Sequence, residues 1–382
     1  MKILVDENIP YGKEAFGTLG DVETAPGRSI TKDMLTEVNA LMVRSITRVN
    51  EDLLSGTPVQ FVGTATIGED HIDRAYLAQN GIGFSSAPGC NANSVAEYIV
   101  ASLLELRKKH VLNFSEMRLG VIGIGNVGSK VVRKAQALGL EVVQNDPPLA
   151  ETTQNLVFQP LDAIFDCDII TLHVPLNKSG RHPTYHLVDH DFLSRLKENV
   201  ILINTARGAV ADNVALKNRL QSGKMREAIL DVWEGEPNPD LELLARCFIA
   251  TPHIAGYSFD GKVNGTVQIY QALCEHLGIA ADWRPDSLLP APDCPEWHVP
   301  SSFDEPLDVL HQAVTSVYDI MQDDKAMRGI LDKSTESQGK FFDLLRKEYP
   351  RRREFQNTKI VHTGENHVLD EMFQGIGFDL SS

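Results

Sequence analysis

Three short segments of this 382-residue chain each place a polar side chain directly after an apolar run. In Ile203-Asn204-Thr205-Ala206-Arg207-Gly208 an arginine stands between a strand-like run and a glycine turn. Its planar guanidinium can hold a carboxylate through two parallel hydrogen bonds, which lysine does not imitate. Asp231-Val232-Trp233-Glu234-Gly235-Glu236-Pro237 is an acidic loop stiffened by proline, and Thr251-Pro252-His253-Ile254-Ala255-Gly256 carries a lone histidine. Histidine is the side chain best suited to exchange a proton near neutral pH. A carboxylate behind it would orient the ring and favour its charged form. Each residue alone has a plain structural explanation: a strand-end arginine is commonly a surface charge, and an isolated histidine or glutamate means even less. Together, and in this order, they describe a site that grips a carboxylate and moves a proton.

Such groups need a scaffold, and the chain supplies one upstream. Gly123-Ile124-Gly125-Asn126-Val127-Gly128 follows the apolar run Leu119 to Ile122 and precedes a helical pattern, Ser129 to Leu138, that Gly139 stops. A second strand pattern, Leu140 to Gln144, ends at Asn145-Asp146. Strand, glycine turn, helix, strand and acid form the order of a dinucleotide-binding βαβ unit. Gly123 allows the tight turn, Gly125 lets the backbone approach a pyrophosphate, and Gly128 lets helix and strand pack closely. Asn126 and Val127 then sit at the helix N-terminus, whose dipole and N–H groups favour phosphate. Asp146 lies 18 residues beyond Gly128, where a carboxylate accepts from ribose hydroxyls and repels a 2′-phosphate. The expected cofactor is NAD.

Composition bounds the rest. The length implies two or three domains. A formal net charge of −16 argues against nonspecific binding to nucleic acid or anionic membranes. The five cysteines are scattered, with no CxxC, so neither a disulfide framework nor a metal site is expected. No signal peptide or long uncharged apolar stretch is present, and the expected location is cytoplasmic. Strand patterns at Lys2 to Val5, Ala40 to Val43 and Val59 to Gly63 alternate with helical patterns at Tyr11 to Leu19 and Thr31 to Val38. A long helix, Val95 to Lys108, capped by Asn93 or Ser94, leads to the glycine motif. Further strands are expected at Asp168 to Leu172, Val200 to Asn204, Ala228 to Asp231 and Phe248 to Ala250. A helix from about 260 to 277 returns to the first domain. A proline-rich linker then opens a separate C-terminal unit with helices at Leu307 to Met321 and Phe341 to Tyr349 and a strand at Lys359 to His362.

With the glycine motif, Arg-Gly, Asp-Val-Trp-Glu-x-Glu-Pro and Thr-Pro-His-Ile-Ala-Gly all in order, the chain resembles the D-isomer-specific 2-hydroxyacid dehydrogenases over roughly residues 1 to 280. The resemblance implies an α/β fold: two doubly wound parallel-sheet (Rossmann-like) domains plus a smaller α+β C-terminal dimerisation domain. The boundaries are 1–93 for a substrate-binding domain completed by the helix at about 257–285, 94–256 for the NAD-binding domain, and 286–382 for the tail. It implies a homodimer and makes Arg207, Glu236 and His253 the catalytic set. Arg207 would bind the substrate carboxylate and polarise the carbonyl oxygen, His253 would exchange the hydroxyl proton, and Glu236 would support the imidazolium. Asp231 would hold cofactor groups near the nicotinamide, Ala206 and Gly256 would approach through backbone, and Val174 would line the adenosine side.

Further segments narrow the substrate by resemblance: Val5-Asp6-Glu7-Asn8, Met42-Val43-Arg44-Ser45, Phe61-Val62-Gly63-Thr64-Ala65-Thr66, Ala87-Pro88-Gly89-Cys90-Asn91-Ala92, His253-Ile254-Ala255-Gly256-Tyr257 and Leu288-Leu289-Pro290-Ala291-Pro292. These match the branch that oxidises 4-phospho-D-erythronate in vitamin B6 (pyridoxine) biosynthesis. A phosphorylated 2-hydroxyacid is then the expected substrate. The resemblance gives it to Ser45, Thr66 and Tyr257, with Arg44 as a further phosphate partner, and sets Ser45 and Thr66 across a cleft from the cofactor domain. Serine and threonine at strand ends are also common turn formers. Two other readings stay open: a 3-phosphoglycerate or other D-2-hydroxyacid dehydrogenase, and an NAD(H)-sensing, corepressor-like interaction protein.

Overall fold

A parallel strand buried on both faces carries apolar residues without alternation. Ala40-Leu41-Met42-Val43 and Val200-Ile201-Leu202-Ile203 are such runs. In the computed structural model, which describes residues 1–380 apart from 154, 156 and 363–365, they form central strands of two different sheets. The chain divides into two units, Met1–Asn91 with Ser258–Ala291, and Ala92–Tyr257 with Pro292–Ser382.

The first unit holds β1 (Lys2–Asp6), β2 (Asp21–Ala25), β3 (Ala40–Val43), β4 (Phe61–Thr64) and β5 (Gly83–Ser85), all parallel, in the order β2-β1-β3-β4-β5. Alternate residues feed two cores. Leu4, Leu41, Val43 and Val62 join Leu35 and Leu77 on one side. Ile3, Val5, Met42 and Phe61 join Ile269, Tyr270 and Leu273 of the returning helix Phe259–Leu277 on the other. The helix expected at 31–38 is a single 3-10 turn, Lys32–Leu35, and the one expected at 11–19 spans only Gly12–Phe16. β2 and β5 were not expected. They lie at the two edges, β2 mostly exposed and β5 half-buried, so neither needs an apolar run.

The second unit is built on β6 (Arg118–Ile122), β7 (Glu141–Asn145), β8 (Ile169–Leu172), β9 (Val200–Asn204), β10 (Met225–Leu230) and β11 (Ile249–Ala250), in the order β11-β10-β9-β8-β6-β7. From β6 the chain steps outward to β7 and then crosses back to β8. Strand order therefore reverses at β6, and a doubly wound sheet opens its ligand crevice beyond the carboxyl ends at that point. The long helix before β6 is Ala92–His110. Asn93 and Ser94 lie inside it and do not cap it. Ser94 Oγ donates to Ala255 O (2.9 Å), and Asn93 Nδ2 donates to Glu97 and Glu354.

The tail, expected as a domain from 286, shares a core with the nucleotide unit. Its helices Pro306–Val317, Ile320–Arg328, Thr335–Lys347 and His367–Ile376, with the parallel pair β12 (Glu296–His298) and β13 (Lys359–Val361), belong to the nucleotide unit from Pro292 onward. Val309, Leu310, Ala313, Phe355 and Phe373 share one core with Leu103, Leu106 and Val131. Buried polar contacts join it too: Glu97 accepts the Phe355 N–H (2.8 Å), and Lys134 donates to Ile376 O. The expected helix 307–321 is two helices. Tyr318 is extended between them, and Asp319 caps the second by accepting from Met321 N.

Candidate active site

At the end of β6, Gly123 has φ +90, and a Cβ there would lie 2.7 Å from His173 O and 2.8 Å from Val174 Cγ1. A Cβ on Gly128 would lie 1.9 Å from Gly123 O, so helix Gly128–Ala137 can start there only on glycine. Gly125 is different: nothing lies within 4 Å of its Cβ position, and Gly125 and Asn126 are exposed. No side chain caps the helix start at Val127. Two glycines thus set the turn, and the third leaves space beside a helix N-terminus, the cradle a pyrophosphate needs. These residues fit NAD. Asp146, just past β7, accepts from Ile124 N (2.7 Å) and Leu149 N (3.0 Å), tying the glycine loop to the next strand.

The catalytic candidates stand at the ends of β9, β10 and β11. Past β9, Asn204 shapes the turn: Oδ1 accepts from Ala206 N and Nδ2 donates to Arg207 O, each at 3.0 Å. Arg207 is extended, and its Nη1 donates to Ala206 O (2.8 Å). Gly208 follows because a Cβ there would lie 2.0 Å from the Trp233 carbonyl. The arginine turn and the acidic loop are therefore in backbone contact.

The two glutamates of that loop part company. Glu234 is structural: its carboxylate meets His186 Nε2 (2.7 Å) and accepts the Asn213 N–H (2.9 Å). Glu236 Oε1 accepts from Trp233 N (2.9 Å), and Oε2 lies 2.8 Å from His253 Nδ1. Burial would raise the Glu236 carboxyl, but the His253 charge and hydrogen bond, with the Trp233 N–H, outweigh it and hold it below its ordinary value. The His253 side chain keeps 32% of its surface exposed, so it can meet a ligand. Its backbone has φ +59, and its N–H donates to Asp231 O (2.7 Å).

Asp231, expected to hold cofactor groups near the nicotinamide, stands just past β10. Its buried carboxylate takes three donors of this chain: Thr251 Oγ1 (2.6 Å), Ile254 N (2.7 Å) and Ala255 N (3.0 Å). Burial pushes the carboxyl up from its ordinary value, against the pull of His253 and these donors. Asp231 thereby holds the turn that presents His253. Tyr98 stands behind it, 2.9 Å from Thr251 Oγ1. Sequence reasoning missed Thr251 and Tyr98, whose signals are no more than a polar atom in an apolar run. It also missed His173, which meets Thr171 Oγ1 (3.0 Å) beside the glycine loop and whose imidazole burial pushes down.

Val174 lies against Gly123, and Ala206, Gly256 and Tyr257 stand on the same unit as His253. Tyr257 N donates to Ile254 O (2.8 Å). Ser45 and Thr66 belong to the first unit. Ser45 is exposed just past β3. Thr66 Oγ1 lies 2.8 Å from Thr64 Oγ1 and donates to Gly68 O (3.1 Å). Arg44 Nη1 is buried with no hydrogen-bond partner among the described residues. No cluster suited to a metal ion occurs among the described residues.

Residues 94–255 match the family model described as D-isomer specific 2-hydroxyacid dehydrogenase, NAD binding domain. Over 358 residues the chain is 46% identical to the erythronate-4-phosphate dehydrogenase of Klebsiella pneumoniae (strain 342), covering 94% of this chain and 93% of that protein. The chain belongs to the erythronate-4-phosphate dehydrogenase family. Another member, from Yersinia pestis (strain Pestoides F), is also 46% identical and covers 94% of each chain. Among solved structures, the D-lactate dehydrogenase of Aquifex aeolicus, complexed with NAD and lactic acid, is 27% identical with a TM-score of 0.59, over 72% of this chain and 95% of that one. The NAD⁺-bound 3-phosphoglycerate dehydrogenase of Entamoeba histolytica shares the fold at 23% identity and a TM-score of 0.62, over 73% and 95%. Residues 288–377 match a second model, described only as a domain of unknown function, DUF3410. In this erythronate-4-phosphate dehydrogenase family chain that domain packs on the NAD-binding sheet.

Proposed function

We propose that the chain oxidises 4-phospho-D-erythronate at C2 to 2-oxo-3-hydroxy-4-phosphobutanoate, with NAD⁺ becoming NADH and one proton released. The observation that carries this is the His253–Glu236 pair, 2.8 Å apart with the imidazole partly exposed. Bound NAD⁺ supplies the hydride acceptor for C2. Glu236 occupies Nδ1, so the other ring nitrogen of His253 takes the O2 proton. Arg207 holds the substrate carboxylate and steadies charge on the developing carbonyl oxygen. Asp146 selects NAD over NADP, with Asn126 and Val127 at the pyrophosphate and Val174 beside the adenosine. Ser45, Thr66 and Tyr257 contact substrate, and the unpartnered Nη1 of Arg44 makes it a candidate for the phosphate.

The name shared by the relatives supports this substrate, and with it a place in pyridoxine biosynthesis. The exposed apolar side chains of the tail, among them Leu331, Leu344 and Val368, support a homodimer formed through it. A cytoplasmic location accords with five free thiols, and no described helix is long and apolar enough to cross a membrane.

The test is product formation by purified protein with 4-phospho-D-erythronate, 3-phosphoglycerate and D-glycerate, each with NAD⁺ and a 2-oxoacid to recycle retained cofactor. Strong preference for the four-carbon phosphate is expected. Preference for 3-phosphoglycerate would keep the mechanism and overturn the substrate. NAD binding without turnover of any would favour a sensor.

A further inference from the structure

The tail helix Thr335–Lys347 carries Gly339, Phe342 and Arg346 on one face, spaced three and four residues apart. That face lies on the loop bearing Glu236. A Cβ on Gly339 would come within 3.0 Å of Asn238 Oδ1 and 3.2 Å of Pro237 Cγ, so no side chain intervenes there. Phe342 is fully buried in the core that holds Trp233, whose N–H binds Glu236. One turn on, the Arg346 guanidinium carbon lies 6.0 Å from the Phe342 ring centre and 5.6 Å from that of Tyr257. Tyr257 meets Tyr349 of the tail edge-on, 5.8 Å between centres. Arg346 Nε is buried without a hydrogen-bond partner among the described residues. Burial opposes the Arg346 charge, but Tyr257, Glu236 and Asp231 outweigh it and hold the guanidinium above its ordinary value. The same charge helps to hold Glu236 ionised.

We propose that Arg346 makes the tail part of the catalytic apparatus: it is a positioning residue that fixes the Tyr257 ring and braces the Glu236 loop against which His253 is oriented. The proposal rests on the hydroxyacid dehydrogenase reading of this site. Its physical basis is geometric. Glu236 sits between Gly235, at φ +79, and Pro237, so this short loop depends on outside contacts to keep its carboxylate on His253 Nδ1. Arg346 supplies a planar group for Tyr257 and a counter-charge for Glu236 from one rigid helix.

The experiment compares full-length protein with Arg346→Met, which keeps the apolar stem, and Arg346→Lys, which keeps the charge. Arg346→Met is expected to lower kcat at least about tenfold, since small misplacements of catalytic groups cost that much or more. NADH affinity and Tm should change little, and Arg346→Lys should recover part of kcat. Amide exchange at Trp233 and Tyr257 should quicken in Arg346→Met. That readout needs no substrate, so it tests Arg346 even if the unchanged protein turns over no hydroxyacid, a result that would fail the function reading alone. Unchanged exchange overturns the proposal. So does unchanged kcat in a protein that is active, or a loss of kcat matched by equal losses of NADH affinity and Tm.

Discussion

Every hydrogen bond around His253 constrains orientation more than it adds affinity. Glu236 takes Nδ1, Asp231 takes the backbone N–H through its carbonyl, and the Asp231 carboxylate takes the next two amides. One imidazole nitrogen is left for a substrate proton. His253→Ala should therefore lower kcat by at least about 10²-fold, the lower range for losing a positioned acid–base group, while NADH affinity measured by fluorescence changes little. Asp146 has a structural task beside its proposed part in cofactor choice. Asp146→Ala should narrow the NAD-to-NADP ratio of kcat/KM. It should also cost about 1 kcal/mol in urea unfolding, because the Leu149 amide loses its cap.

At the scale of elements, the site is a meeting of loop ends that no single loop could form. Gly208 is a tight joint between two of them, with the Trp233 carbonyl where a Cβ would go. Backbone atoms on both sides leave no flexible tip to yield. Gly208→Ala should destabilise the unit by at least about 2 kcal/mol in denaturant unfolding, toward the upper range for overpacking. Activity should fall with it, since Arg207 and Glu236 sit on the two segments pushed apart. Central strands such as β3 and β9 were legible because burial on both faces demands a continuous apolar run. Edge strand β2 was not, since a mostly exposed strand needs no apolar run, and the Lys32–Leu35 turn was not, since its one buried residue, Leu35, does not decide between an α-helix and a 3-10 turn.

For the whole molecule, the tail is the element that brings distant parts of the chain together. Its proline-rich beginning signals a linker, yet its helices join the core of the NAD-binding fold. Polar groups are carried into that junction. Asp323 Oδ2 accepts from Tyr318 and Tyr349, both at 2.9 Å. Burial pushes its carboxyl up to about 6, against those two hydroxyls and the Arg352 charge. A carboxyl raised on folding adds stability that is complete below its unfolded pKa and lost as pH rises through its folded one. Asp323→Asn keeps an acceptor and stays neutral. The unchanged protein should therefore lose stability relative to Asp323→Asn as pH rises from about 4 to about 6, with a constant gap above that. Thermal melts across this range check it, and parallel curves would refute it.

By itself the sequence determined the doubly wound scaffold, the glycine cradle and the strand-end positions of Arg207 and His253. Those signals are local, because backbone turns, capping and strand burial depend on residues a few places apart. Tertiary structure decided which glutamate meets His253, turned the Asp231 carboxylate inward to hold the catalytic turn, and seated the tail beside Glu236 and Tyr257. Glu234 and Glu236 share a loop and a chemistry, and only packing separates them. Arg346 is more than ninety residues from His253 in the chain. No periodicity or spacing can encode such a contact, since it exists only once two buried surfaces have closed on each other.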